Sequence, residues 1–154
     1  MSKPKNIVLG VSGSIAAHKA IDLASLLTKA GCEVDVGLTR DAQQFAKPLP
    51  FQTLTRRSVI TSLYDEGENG VAHVQAADRT DLLLVAPATA NTLAKLALGL
   101  ADDALGCVAL ALRSEAKLLV APAMNGKMWR HPATEANVAT LRERGAEFIG
   151  PDKG

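Results

Sequence analysis

Short apolar runs alternate along the chain with segments in which apolar residues recur at helical spacing. Residues 6–11 (NIVLGV), 33–39 (EVDVGLT), 81–88 (DLLLVAPA) and 116–123 (AKLLVAPA) are largely apolar on both faces, which is typical of fully buried strands. Residues 147–150 (EFIG) predict a short last strand. This alternation predicts an α/β fold, a three-layer structure in which helices cover both faces of one parallel sheet.

Helical spacing is clearest in three segments. Residues 14–31 predict an amphipathic helix that ends at Gly31, and residues 89–112 predict two helices separated near residues 99–102. Residues 132–146 predict a helix that begins at a proline and ends at a glycine. The apolar positions that carry the first of these predictions are Ile15, Leu23, Leu26 and Leu27.

Residues 40–72 have no clear pattern. Pro48 and Pro50 interrupt any helical spacing there, and the polar run DEGENG at residues 65–70 predicts a loop.

The composition fits one domain. The 154 residues are 47% hydrophobic, enough to fill a core, but only 3% aromatic, so Ala, Leu and Val must build that core. A net charge of +1 gives no electrostatic reason to expect binding to nucleic acid or to an anionic membrane surface. Cys32 and Cys107 are too few for a disulfide framework and lack metal-site spacing, so we expect buried thiols and no metal site.

The N-terminal sequence MSKPKNIVLGVSG leads directly into a strand and lacks the pattern of a signal peptide. No apolar run reaches the roughly 20 residues that a membrane-spanning helix needs. We therefore expect a cytoplasmic protein with a single domain over residues 1–154.

Polar residues follow three of the predicted strands. SGS (12–14) turns directly into a helix, and its hydroxyls and the N–H groups of the helix start form a candidate anion site, although Ser14 is equally well explained as a helix cap. TRD (39–41) and TANT (89–92) offer the same two interpretations, with Asn91 as a cap or as a ligand contact. The spacing of Gly10, Gly13 and Ala16 does not match GxGxxG, and no P-loop motif is present. This favours the phosphate of a mononucleotide over that of a dinucleotide. Because the carboxyl ends of parallel strands share one edge, these loops are expected to lie together.

APAMNGKMW (121–129) follows the fourth strand and contains an amide, two thioethers and the only tryptophan of the chain. A turn requires an Asn or a Gly but not the rest, so the loop either contacts a ligand or packs its Met and Trp side chains into the core. Among the histidines, His18 is explained as a solvated helix residue and His131 as a helix cap. His73 has apolar neighbours, and for a lone histidine a structural role is the commoner one.

Three stretches, GVSGSIAAHK, HVQAADRTDLLLVAPATANTLAKLALGLADD and APAMNGKMW, together resemble the homo-oligomeric flavin-containing cysteine decarboxylases over residues 5–151. PAMNGKMW fits that family's Pro-x-Met-Asn-x-x-Met-Trp signature at every fixed position. SIAA and ANTLAKLALGLADD are most similar to the coenzyme A branch of the family. The resemblance implies a flavodoxin-like (Rossmann-like) fold and FMN as the cofactor.

The resemblance also implies roles for individual residues. His73 matches the family's active-site histidine, Asn125 matches the residue that recognises the substrate carboxylate, and Met128 belongs to the same substrate motif. The FMN phosphate would lie against Gly13 and Ser14. The full set of implied cofactor contacts is Gly13, Ser14, Ile15, Thr39, Asp41, Thr89, Ala90, Asn91, Thr92 and Ala123.

The implied activity is oxidative decarboxylation of 4'-phosphopantothenoylcysteine towards 4'-phosphopantetheine in coenzyme A biosynthesis. The implied assembly is a homotrimer, or a dodecamer of trimers, with FMN at a subunit contact. The alternative is a peptidyl-cysteine decarboxylase that acts on the C-terminal cysteine of a lantibiotic-type peptide. A third reading, a non-catalytic regulatory subunit, is disfavoured because His73 and Asn125 are both present.

One family feature is expected to be missing. The substrate-clamping segment, with the cysteine used in the final reduction, would begin beyond the last strand, where this sequence ends at GPDKG (150–154). Cys32 and Cys107 do not match that cysteine. We therefore expect an FMN-binding decarboxylase domain without the clamp and without the ligase domain of bifunctional relatives.

Overall fold

The strands form one parallel sheet. The computed structural model describes residues 5–63 and 72–151. Its strands are β1 (Asn6–Val11), β2 (Glu33–Leu38), β3 (Leu82–Ala88), β4 (Lys117–Pro122) and β5 (Glu147–Phe148). They lie in the order β2-β1-β3-β4-β5, and every neighbouring pair is parallel. The predicted α/β class and flavodoxin-like arrangement are confirmed.

Helices occupy most of the connections between the strands. Short 3₁₀ helices at Ile15–His18 and Asp41–Gln44 follow β1 and β2. The α-helices are α1 (Lys19–Lys29), α2 (Pro48–Thr55), α3 (Ala72–Arg79), α4 (Ala90–Leu98), α5 (Ala104–Ala111), α6 (Gly126–Trp129) and α7 (Pro132–Glu143). The two helices expected between residues 89 and 112 are therefore confirmed as α4 and α5.

Both faces of the sheet are buried, as its apolar strands predict. Ile7, Leu9 and Val11 of β1 pack on the side of α1 and α2. Val8, between them, packs on the other side in a cluster that includes residues of α3, α4, α5 and α7, such as Leu93. Because successive side chains of a strand point to opposite faces, the sheet itself separates the two clusters.

The first helix packs through alanines and not through the full set of leucines that predict it. Ala20 and Ala24 are buried, whereas Leu26 is 64% exposed and Ile15 is 79% exposed. Ile15 belongs to a 3₁₀ helix, whose 3.0 residues per turn break the 3.6-residue spacing assumed across residues 14–31. The prediction of one continuous helix with Ile15 and Leu26 on the buried face is therefore wrong, because the small alanines let the backbone lie close to the sheet.

The prolines after β2 begin a helix. Pro48 is the first residue of α2 and Pro50 lies in the same turn, where a missing N–H leaves no helical hydrogen bond unmade. Ile60 then pairs with the edge of β2, donating its N–H to the Val36 carbonyl and accepting from Leu38, each at 2.9 Å. The loop expected at residues 65–70 lies outside the described residues.

No helix within residues 5–63 and 72–151 has both the length and the apolar character needed to span a bilayer.

We expect two leucine substitutions to separate the buried face from the exposed one. Leu9→Ala should lower the free energy of unfolding by about 2–5 kcal/mol, because Leu9 is fully buried and its loss leaves a cavity. The control, Leu26→Ala, should change it by less than about 0.5 kcal/mol. Urea unfolding measures both, and equal losses would contradict the orientation of α1 described above.

Candidate ligand-binding cleft

Loops from four strands meet at one edge of the sheet because the strands are all parallel. They are residues 12–14, 39–41, 89–92 and 123–125, which follow β1, β2, β3 and β4. After β1 the chain passes to the side of α1, and after β3 it passes to the opposite side with α4. The gap between β1 and β3 is therefore a topological switch point, where open α/β sheets bind ligands.

A cleft of about 590 Å³ opens at this edge. That volume lies in the range of ordinary cofactor and small-molecule sites. Its walls come from the first three loops, from α4 and the turn after it, and from α6. The lining residues are Gly13, Thr39, Arg40, Asp41, Thr89, Ala90, Asn91, Thr92, Lys95, Asp102, Asp103 and Met128.

Hydroxyl groups fix the backbone of the first three loops. Ser14 Oγ accepts from the N–H two residues later at 3.1 Å, and Thr39 Oγ1 accepts from the N–H of Ala42 at 3.1 Å. Thr89 caps α4, since its Oγ1 accepts from the N–H of Thr92 at 3.1 Å. The cap interpretation is thus confirmed for Ser14, whereas Thr39 lies one residue before the N-cap position of its 3₁₀ helix and still bonds that helix through its hydroxyl. A hydroxyl can also donate, so a cap does not exclude a ligand contact.

Asn91 is not the cap of α4. That position belongs to Thr89, and Asn91 is the second residue of the helix, exposed on the wall of the cleft. Its side-chain amide therefore remains available for a ligand.

Close packing joins the loops to one another. A Cβ built on Gly13 would lie 2.4 Å from the Cβ of Asp41, far closer than such atoms approach, so the first two loops can meet only at a glycine. At the other end of the cleft edge, the N–H of Ala123 donates to the carbonyl of Ala88 at 3.0 Å.

The cleft carries charges of both signs. Lys95 Nζ lies 3.0 Å from an oxygen of Asp102 and 3.9 Å from one of Asp103. The hydrogen bond with Asp102 raises the pKa of Lys95 and holds the pKa of Asp102 below its ordinary value. Asp41 adds a further carboxylate. Within the described part of the chain the guanidinium of Arg40 makes no ion pair, so Arg40 is a cation available to an anionic ligand.

The cleft gathers part of the site expected from the sequence. Gly13, Thr39, Asp41, residues 89–92 and Met128 all line it. Ser14 and Ile15 follow Gly13 directly but lie outside the lining, and Ala123 lines a separate apolar cleft of about 200 Å³. The other walls of that second cleft are Ala16, Lys19, Ala20, Leu23, Ala86, Pro87, Ala121 and Pro122.

The two residues expected to do the chemistry also lie outside the lining of the larger cleft. His73 is the half-buried second residue of α3. Asn125 is exposed at the cap of α6, and its Oδ1 accepts from the N–H of Met128 at 2.9 Å. Because the oxygen faces the helix, the amide N–H₂ group faces away from it and can donate to another molecule.

Three residues of the cleft, Lys95, Asp102 and Asp103, were absent from the expected set, whereas Arg40 belonged to the candidate loop TRD but not to the implied cofactor contacts. For two of these residues, Lys95 and Asp103, the sequence contains a pattern that could have predicted their position. Lys95 follows Asn91 by four residues, which puts both on one face of a helix. Asp103 precedes an apolar helix and caps it, accepting from the N–H of Gly106 at 2.7 Å.

The described residues supply neither a metal site nor a reactive thiol at the cleft. They contain no group of three or more His, Cys, Asp or Glu side chains placed to hold a metal ion. Cys32 and Cys107 are free thiols. Burial raises the pKa of Cys107, and the carboxylates of Asp103 and Asp102 raise it further, so this thiol is protonated at neutral pH.

Comparison with known proteins identifies relatives of the whole described fold. The family model Flavoprotein matches residues 1–154. The probable phosphopantothenoylcysteine decarboxylase of Streptococcus mutans is 47% identical over 148 residues, which cover 96% of this chain and 83% of that protein. The coenzyme A biosynthesis bifunctional protein CoaBC of Bacillus subtilis is 45% identical over 155 residues, and this chain spans only 38% of its length.

Solved structures give the same result. The FMN-dependent cysteine decarboxylase SpaF superimposes with a TM-score of 0.89 at 34% identity, covering 97% of this chain and 86% of that one. A PPC decarboxylase variant complexed with pantothenoylaminoethenethiol superimposes with a TM-score of 0.84 at 33% identity, covering 98% of this chain and 84% of that one. The chain therefore belongs to the flavoprotein family and, within it, to the flavin-dependent cysteine decarboxylases.

Proposed function

We propose that this chain is a carboxy-lyase that binds FMN in the cleft at the switch point and decarboxylates 4'-phosphopantothenoylcysteine in coenzyme A biosynthesis. The observation that carries the proposal is the cleft itself, a preformed site whose lining residues come from all the loops that the sequence marks as ligand-binding. The 47% and 45% identities with coenzyme A proteins support this substrate over a peptide.

The donor set of the cleft fits a flavin mononucleotide. Gly13 leaves room for close approach to its backbone, while Thr39 and Asn91 offer a hydroxyl and an amide to ribityl oxygens. The phosphate is proposed to lie against Gly13 and Ser14, and the N–H groups at the start of α4, which no helical carbonyl can reach, add donors for an anion at the same cleft. Arg40 and Lys95 offset the negative charge that Asp41, Asp102 and Asp103 bring to the same cleft.

FMN, when bound, supplies a two-electron acceptor for oxidation of the Cα–Cβ–S unit of the substrate. In this proposal Asn125 donates its amide N–H groups to the substrate carboxylate, so that CO₂ leaves from a fixed position. The hydrogen bond from Met128 to the Asn125 oxygen holds the amide in the orientation that this role needs. His73 accepts the proton that the thiol must lose when the carbon–sulfur unit is oxidised to a thioaldehyde.

A homo-oligomer is part of the proposal. His73, Asn125 and Ala123 lie outside the lining of the cleft that would hold FMN, so a trimer, or a dodecamer of trimers, would let a second copy complete the site. The small apolar cleft between Leu23 of α1 and the ends of β3 and β4 supports such a contact, since an apolar recess favours burial. The two free thiols are in keeping with a reducing cytoplasm as its compartment.

The alternative is decarboxylation of a peptide that ends in cysteine. The likeness to SpaF, an FMN-dependent cysteine decarboxylase that superimposes with a TM-score of 0.89, keeps a cysteine substrate of another kind as the second candidate. Its identity with this chain, 34%, is below the 47% of the Streptococcus mutans protein and puts this candidate behind the coenzyme A substrate.

Substrate assays decide between the two. FMN-loaded protein should release CO₂ from 4'-phosphopantothenoylcysteine with a higher kcat/KM than from a peptide with a C-terminal cysteine, because this chain is 47% and 45% identical to coenzyme A proteins. A preference for the peptide would establish the alternative. Absence of turnover with both substrates would overturn the proposal.

Two substitutions should separate chemistry from cofactor binding. Asn125→Asp keeps the oxygen that caps α6 but replaces both N–H donors with a charge that repels the carboxylate, so decarboxylation should fall by about 100-fold or more. His73→Asn should lower it by about 10²–10⁴-fold by removing the base. Both variants should retain FMN, measured as flavin absorbance per subunit.

The matched control is Asn137→Asp, on α7 and outside the cleft lining, which should leave activity unchanged. Full activity in FMN-loaded Asn125→Asp or His73→Asn would show that the role given to that residue is wrong.

A further inference from the structure

The first residue after β1, Ser12, is a buried serine between two apolar layers. It is 1% exposed. Its hydroxyl donates to the carbonyl of Pro87 at 2.6 Å and accepts from the N–H of Thr89 at 3.0 Å, while its own N–H donates to the same Pro87 carbonyl at 3.2 Å. One side chain thus joins the ends of two strands that are about 75 residues apart in the chain.

These hydrogen bonds lie just beyond the point where the regular pairing of β1 with β3 ends. The regular pairing of β1 with β3 runs only as far as Gly10 and Val85. Beyond that point β3 is irregular, with a register shift between Val85 and Ala88 in its pairing with β4. The Ser12 hydroxyl bonds the Pro87 carbonyl and the Thr89 N–H; the carbonyl also accepts from the Ser12 N–H, so the group that depends on the hydroxyl alone is the N–H of Thr89.

The position of these bonds relates them to the cleft. Thr89 is the cap of α4, so fixing its N–H fixes the start of the helix whose first residues line the cleft. On the other side, Gly13 follows Ser12 directly and touches Asp41 of the second loop. Ser12 therefore lies between the two walls and is bonded to the wall that carries Thr89.

We propose that Ser12 is a positioning residue that sets the distance between the loop at Gly13 and the start of α4, and thereby the affinity of the cleft for FMN. The inference rests on the flavin function proposed above. Without the hydroxyl, the N–H of Thr89 loses its partner in a buried place, and the start of α4 shifts to recover one. The sheet keeps its other hydrogen bonds, so the cleft is altered more than the fold.

Substitution at Ser12 tests the inference with FMN affinity as the readout. In Ser12→Ala the dissociation constant for FMN, measured by quenching of flavin fluorescence, should rise by about tenfold or more, and the absorption spectrum of bound flavin should shift. Ser12→Thr keeps the hydroxyl and should restore the affinity to within about threefold. Ser25→Ala, which removes a half-buried hydroxyl on α1, is the control and should change nothing. An unchanged affinity and spectrum in folded Ser12→Ala would overturn the proposal.

Amide hydrogen exchange in the unmodified, FMN-free protein tests the same bond without any substitution. The Thr89 amide should exchange at least about tenfold more slowly than the Asn91 amide, which lies in the first turn of α4. Equal rates would overturn the role of Ser12 even if Ser12→Ala does not fold. If the unmodified protein fails to bind FMN, the proposed function fails, whereas the exchange rates still decide whether Ser12 holds Thr89.

Discussion

The position of β1 between β2 and β3, with every strand parallel, decides where this molecule can bind a ligand. It sends the chain to one face of the sheet after β1 and to the other after β3, so no helix crosses the gap between the two strand ends. The loops at Gly13, Thr39 and Thr89 must then face one another. Burial of apolar side chains on both faces makes that order stable.

A preformed cleft needs loops that do not collapse into it or drift apart. Here the first three loops are each held by a hydroxyl of their own, and neighbouring loops touch through the Gly13–Asp41 contact and the Ser12 hydrogen bonds. Because these loops are ordered before binding, the entropy cost of ordering the protein when a cofactor binds is smaller. The Lys95–Asp102 ion pair likewise fixes the position of an ammonium group in the cleft before a ligand binds.

Sequence predicts the strands well because each is apolar on both faces, a pattern that only a covered parallel sheet satisfies. It predicts the face of α1 poorly, because alanines pack closest to the sheet while Leu26, more hydrophobic, faces outward. A proline such as Pro48 is compatible either with the interruption of a helix or with its first turn, and the sequence alone does not distinguish the two. The position of Lys95 four residues after Asn91 puts both on one helix face, but only tertiary packing brings that face to the cleft. The chemistry assigned to His73 and Asn125 came from family resemblance, not from periodicity.

The proposed function has two parts, that FMN binds at the switch point and that a second copy completes the site around Asn125 and His73. A mass spectrum of the intact protein under native conditions, after addition of FMN, measures subunit number and bound flavin together. We expect trimers, or multiples of trimers, that carry one FMN per subunit. A flavin-free monomer under those conditions would contradict it.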